Sequence, residues 1–424
     1  MTSSTQPLHH PAYRWLLVGT TINSLGNSIS PVALAFAVLD LGGSATDLGL
    51  VVAAYALADL VAVVAGGVLG DRFARTTLMR LSNIGAGLVQ VSVAVGLLAG
   101  WASIPYLGVA GAAIGALGSL AGPSTQAILP QTVPPALLRT GITVSRLSQN
   151  VARIVGAGAA GLLVQWIDPG GAVAVDAATF LLAAACFLLI RVPRVRDADA
   201  APTRFLHDAR EGLSEVMRHS WLWSLIAMAL VYHLFFGGAQ GVLGPVVVGG
   251  RAGPAAWGYA LAAMMAGFLA GGLLCLVWRP RRILLAGELG LLLTVCFPLA
   301  MALSDQGWVV VLGAALHGFG LEIFSVGWEL AIQENVPERM LARVYSFDQL
   351  GSFLARPLGL ALTGPMAALV GDRSWLLVVV AAMLVAEVVP FAVADVRRLE
   401  RRAVTTGEDG TTPGTEVPGV VVTG

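Results

Sequence analysis

From Tyr13 to the neighbourhood of Asp395, apolar residues run in stretches of about twenty or more, each broken by a short polar or glycine-rich turn. A helix needs about 20 apolar residues to cross about 30 Å of hydrocarbon, so these runs predict membrane-spanning helices rather than the helices of a soluble core. Twelve spans are expected, at about 13–39, 46–70, 77–100, 103–128, 140–165, 171–191, 219–247, 254–278, 283–303, 307–332, 344–370 and 375–395. The first is too long for a signal peptide and is expected to stay in the mature chain. The longest polar interruption, 192–218, separates one six-helix half, 13–191, from another, 219–395. Inside it Leu206, Ala209, Leu213, Val216 and Met217 fall on one side of a helix, which predicts a linker helix lying at the membrane surface. Residues 1–12 form a short N-terminal tail, and 396–424, rich in Thr, Gly and Pro, a disordered C-terminal one.

Charge orients the bundle. Arg72, Arg75 and Arg80 follow span 2, Arg139 follows span 4, and Arg191, Arg194, Arg196, Arg204, Arg210 and Arg218 follow span 6. Arg279, Arg281 and Arg282 follow span 8, Arg339 and Arg343 span 10, and Arg397, Arg398, Arg401 and Arg402 span 12, whereas the opposite loops hold Arg251 and Arg373. Short loops rich in positive charge stay in the cytoplasm, so both termini are expected there and the chain is expected in a cell's inner membrane. Charged residues make up 12% of the chain, against about 25% in soluble proteins, which argues against a water-soluble fold, and twelve spans of about 21 residues leave only loops and tails beside them. Net charge is zero, which gives no support to a nucleic-acid partner. There is no Lys anywhere, hence no phosphate-binding Gly-x-x-x-x-Gly-Lys loop to make ATP the direct energy source. Cys186, Cys275 and Cys296 lie in apolar runs without metal-ligand spacing, and neither a metal nor a cofactor is expected.

The chain also repeats itself. Val133-Pro134, Arg153, Gly156 and Gly161 recur as Val336-Pro337, Arg356, Gly359 and Gly364, each pair separated by 203 residues. A weaker echo sets Gly66-Gly67-Val68-Leu69 and Arg75 of span 2 against Gly271-Gly272-Leu273-Leu274 and Arg279 of span 8. Two duplicated halves in parallel orientation, with a site between them, are one of the architectures of secondary transporters. The expected fold class is therefore an all-α integral membrane protein of twelve transmembrane helices in two pseudo-symmetric halves.

The stretch Gly67-Val68-Leu69-Gly70-Asp71-Arg72-Phe73-Ala74-Arg75 resembles the signature between helices 2 and 3 of the major facilitator superfamily. Ser24-Leu25-Gly26-Asn27 leading to Gly42-Gly43-Ser44-Ala45, and Ile332-Gln333-Glu334-Asn335-Val336-Pro337 leading to Ala342-Arg343-Val344, are similar to its branch of siderophore exporters and macrolide or multidrug efflux proteins. The resemblance covers roughly residues 13–395. Ala74 stands where the signature has Gly and Thr76 where a base is usual, span 5 lacks the Pro of the drug/proton antiporter motif, and span 4 lacks an Arg that relatives carry. The resemblance implies alternating access, a cavity lined by spans 1, 4, 7 and 10, and a latch in which Asp71, Arg72 and Arg75 meet the start of span 11. Asp348 is the candidate partner of Arg75.

Within the spans the costly residues are the candidates for chemistry. Asp59 lies twelve residues before Asp71, about 18 Å along a helix, where an ionised acid costs about 2.5–3.5 kcal/mol on insertion scales. Arg356 is expected at similar depth across the interface between halves, as a pair that either breaks during transport or stays closed as structure. Glu322 in span 10 is the second protonatable candidate. Asn23 and Asn27, one helical turn apart on span 1, Tyr232, His233 and Gln240 on span 7, and His317 on span 10 are the candidates for the substrate cavity. Either histidine alone is more often a satisfied packing residue than a proton site. Arg153 has no evident partner, and Asp176 and Glu387, in helices peripheral by the resemblance, read as structural.

The expected function is secondary active export of a small apolar or amphipathic molecule (a drug, macrolide, siderophore or secondary metabolite) by alternating access, with proton antiport as the energy source. Protons, a small-molecule substrate and the lipid bilayer are the expected partners, with the monomer as working unit. Import or facilitated diffusion of a metabolite on the same fold is the alternative. An integral-membrane enzyme is disfavoured, because no acid, His or Ser constellation gathers at a membrane edge.

Overall fold

The computed structural model describes residues 6–72, 75–192, 205–278 and 280–399, and among them the structure is helical with no strands. Span 1 is Pro11–Asp40, span 2 Ala45–Arg72, span 3 Arg75–Leu98 and span 4 Ile104–Ile128. Spans 5 and 6 form one helical segment, Leu138–Leu188, folded back on itself at Ile167 and Asp168. Span 8 is Pro254–Val277, span 10 Gly307–Asn335 and span 12 Asp372–Val388. The expected C-terminal tail lies almost entirely outside the described residues.

Lipid tails are as apolar as leucine, so burial of apolar surface does not hold these helices together; close packing of small residues does. Side chains such as Val277 (81% exposed) and Leu369 (77%) face outward, as a lipid-facing surface requires. Spans 1, 3, 5 and 6 pack together in the first half and spans 8, 9 and 10 in the second. Between the halves the principal contacts are span 5 on span 8 and span 11 on span 2. These two pairs are equivalent under the repeat.

Glycines close both seams at the end of the bundle opposite the termini. A Cβ on Gly161 would fall against the carbonyl oxygen of Pro254 and Cα of Ala255, and one on Gly364, 203 residues later, against the backbone of Ala45 and Thr46. The turns behind them are also related: Asp168 (φ 61°) and Gly371 (φ 89°), again 203 residues apart, both take a positive φ with an extended ψ between consecutive spans.

Three elements depart from regular helix. Span 7 starts as α-helix, Ser220–Gly238, but continues as π-helix over Ala239–Gly249. Pro245 lies in the wide stretch, where it has no N–H to give and its ring crowds the preceding turn. Span 9 tightens to a 3-10 turn, Leu292–Val295, between Ile283–Leu291 and Cys296–Leu303. Span 11, expected as one helix, is two: Glu338–Phe353 and Arg356–Val370. Pro357 would clash with the carbonyl of Phe353, so the helix stops there and restarts with Pro357 in its first turn, the position a proline tolerates. The linker helix is Phe205–Arg218, and it docks on the first piece of span 11, where Arg343 bonds to Glu211 and Phe347 packs over Gly212.

Candidate functional site

A cavity of about 270 Å³ lies between the two halves, close to the lower end of the ~300–1,000 Å³ usual for small-molecule sites. The first half contributes Asn27, Ser28 and Ser30 from span 1, Tyr55 from span 2 and Gln90 from span 3. The second contributes Gln240 and Pro245 from the π-helical part of span 7, Trp257, Met264 and Met265 from span 8, and Arg356 from span 11. Most of the wall is apolar, and Arg356 is the charged residue among those lining it. It opens the second piece of span 11, so the positive end of that helix adds to its field.

Of the residues expected at the substrate, Asn27 and Gln240 line this cavity. Gln240 Nε2 points at Met264 Sδ, 3.7 Å away. Asn23 does not; its Oδ1 is buried with no hydrogen-bond partner among the described residues. Tyr232 and His317 are buried inside the second half instead, as parts of a separate polar chain. His317 Nδ1 lies 2.7 Å from the carbonyl oxygen of Thr294, which can only accept, so Nδ1 carries the proton and Nε2 accepts from Tyr232 Oη at 2.9 Å. Thr294 Oγ1 then donates to Glu387 at 2.6 Å, and Glu288, fully buried with neither oxygen partnered among the described residues, lies within electrostatic reach of Glu387. His233 donates from Nδ1 to the Ala229 carbonyl at 2.8 Å and packs its ring on Phe353. Each histidine thus bonds a backbone carbonyl and packs against neighbouring aromatic rings. Apolar residues surround the few polar ones on spans 7 and 10, so their sequence gives only a weak sign of which face turns inward.

The expected contact between Asp59 and Arg356 is not formed. Asp59 accepts a hydrogen bond from Ser119 of span 4, and Arg356 has no ion pair among the described residues. Both lie within electrostatic reach of Tyr55. Glu322 lies away from the cavity, against Gly271 and Gly272 of span 8. The side chains of Asp71 and Arg72 fall outside the described residues. Arg75 opens span 3, and Asp348 accepts a hydrogen bond from Trp328 Nε1 at 3.1 Å.

One cluster escaped the sequence reading. Asp176 of span 6 is fully buried and accepts from Gln90 Nε2, which also donates to Ser30 Oγ at 2.8 Å. Thr179 Oγ1 lies 3.3 Å from the other carboxylate oxygen. A carboxylate in an apolar span needs partners, and the amide of Gln90 on span 3 was the available signal.

The sequence pattern of the Major Facilitator Superfamily matches residues 16–360. The chain belongs to this superfamily. It is a transporter by that membership, and multi-pass in the membrane. Multidrug efflux pump Tap of Mycolicibacterium fortuitum is 27% identical over 88% of this chain and 94% of its own length. Macrolide efflux protein A of Streptococcus pyogenes is 22% identical over 90% of this chain and 96% of its own length. Among solved structures, a bacterial homologue of the human lysosomal transporter Spinster, in an inward-facing and unoccupied conformation, superposes with a TM-score of 0.68 at 18% identity, over 90% of this chain and 96% of that one. That likeness is one of fold.

Proposed function

We propose that this superfamily member exports small apolar or amphipathic molecules across the cytoplasmic membrane, by alternating access and in exchange for protons. The observation that carries the reading is the cavity shared by both halves: small and mostly apolar, with a few polar groups, among them Asn27, Ser30, Gln90, Gln240 and Arg356. Such a wall accepts varied apolar shapes and orients them by few hydrogen bonds. The similarity to proteins named as multidrug and macrolide efflux pumps favours export over import. With the termini in the cytoplasm, as the arginine distribution has it, the seams closed by Gly161 and Gly364 are the outer ones. In the opposite state Asp71, Arg72 and Arg75 would hold the cytoplasmic side closed, with Asp348 as partner. Asp59 and Glu322 are further intramembrane acids available to protons, and Arg356, which has no ion pair among the described residues, faces the cavity where cargo would lie.

A charge moving inward through 100 mV supplies about 2.3 kcal/mol, enough to sustain a roughly 50-fold concentration gradient of neutral cargo. Ethidium and erythromycin accumulation in efflux-deficient bacteria, with and without the expressed protein, tests the proposal. Expression is expected to lower accumulation of one or both, and a protonophore to restore it. Accumulation that rises on expression would support an importer instead. Unchanged accumulation of both compounds and of a wider amphipathic panel would contradict export.

A further inference from the structure

We propose that Asp176 holds the proton exchanged for cargo, with Gln90 and Ser30 as the hydrogen-bonded link between this acid and the cavity. The inference rests on the antiport reading above and deepens it by naming the group and the kind of cargo it serves. Asp176 is fully buried, yet two of the groups around it, Gln90 and Ser30, are themselves part of the cavity wall. Its seat is built into the packing: a Cβ on Gly26 of span 1 would run into Thr179 Oγ1 and Asp176 Oδ1.

The second half offers a comparison. Gln90 of span 3 and Thr294 of span 9 each donate to an acid on the last span of its half, Asp176 and Glu387, although these acids, 211 residues apart, are not equivalent positions under the 203-residue repeat. Thr294 and its neighbours His317 and Tyr232 are buried away from the cavity, so the acid in the second half is sealed. The one in the first half is two hydrogen bonds from cargo. Spans 1 and 3 present Ser30 and Gln90 to Asp176 and no titratable group. Span 2 presents Tyr55, within electrostatic reach, and span 11 places Arg356 on the same cavity. Arg153 of span 5 is exposed and forms no ion pair among the described residues.

Exchange follows from the two faces of one amide. With Asp176 ionised, Gln90 donates from Nε2 to Asp176 and Ser30, and its Oε1, which accepts no hydrogen bond among the described residues, is left for a donor on the cargo. When the carboxylate takes a proton from cavity water, its O–H becomes a donor that claims the Gln90 carbonyl, with the amide turned over. Cargo carrying a hydroxyl, amine or amide N–H therefore competes with the proton for the same acceptor. Breaking the Asp176 O–H bond returns that proton to cavity water and frees Gln90 again.

The test needs only protons as probe. Spin labels at Trp101 and Trp308, exposed on opposite halves at the end remote from the termini, are placed in protein whose Cys186, Cys275 and Cys296 have been replaced. Their distance distribution is compared in mildly acidic and mildly alkaline buffer. The wild type is expected to shift, Asp176→Asn to lose the shift, and Asp176→Glu to regain it. If Asp176→Asn proves unfolded, Gln90→Leu is expected to move the pH midpoint of the response. An undiminished shift in folded Asp176→Asn, or an unmoved midpoint in Gln90→Leu, overturns this inference and leaves antiport through another group standing. A wild type that ignores pH overturns both.

Discussion

Gly364→Leu and Gly161→Leu are each expected to lower transport severalfold or more while leaving a folded protein in the membrane. Both glycines face backbone across the seam between halves, Ala45 and Thr46 for one, Pro254 and Ala255 for the other, and backbone cannot rotate out of the way. Overpacking of this kind costs about 1–3 kcal/mol. The cost falls on the state whose remote end is closed, since in the other state the seam is apart. The equilibrium between states then moves by about 5- to 150-fold toward opening at that end. Reconstituted vesicles loaded with ethidium would show a marked loss of transport, and spin labels at Trp101 and Trp308, one on each half at that end, would move apart. The alanine variants, which add a single carbon, should lie between. Transport at the wild-type rate in either leucine variant would mean that these seams do not open.

Arg356→Gln is expected to change what the protein carries more than how fast it cycles. Arg356 is the charged group among the lining residues, with no ion pair among those described, and it opens a helix whose positive end faces the same way. Hydrogen bonds to a charged group contribute about 1.5–3 kcal/mol, so losing them should weaken export of an anionic amphipath such as taurocholate by about ten- to a hundredfold. Ethidium, a cation, should be exported as well as before or better, because the repulsion is gone. A parallel loss for both probes would show that Arg356 serves the helix break and not selectivity.

The sequence carries the bundle plainly because a bilayer leaves few choices: an apolar run of spanning length must be a helix, and most arginines lie in or beside the loops, with Arg153 and Arg356 as exceptions inside spans. The repeat is legible for the same reason, since Gly161 and Gly364 have to be small wherever two backbones touch. Within a span the reading weakens. Asp59 and Arg356 were placed at similar depth by counting residues, but counting does not say which way a side chain points, and Asp59 turns to Ser119. Tyr232 and His317 looked like cavity residues because they are polar, whereas each satisfies the other inside the second half. Gln90 lies on span 3, outside the four spans that the resemblance places at the cavity, and Asp176 on span 6, a helix peripheral by the same resemblance. Their hydrogen bond joins residues 86 apart in the chain, a contact that only packing reveals. The π-helix of span 7 was equally hidden, although Pro245 and the glycines around it marked where regular helix would strain.

Alternating movement of the halves is tested most directly by measuring both ends of the wild-type molecule at once. One spin-label pair, Trp101 with Trp308, reports the end remote from the termini, and a second, Ala136 with Val277, the end near them; all four positions are exposed. On adding ethidium, or on changing pH, one distance is expected to lengthen as the other shortens. Two distances that stay fixed, or that change together in the same sense, would contradict rocking of the halves about a shared cavity.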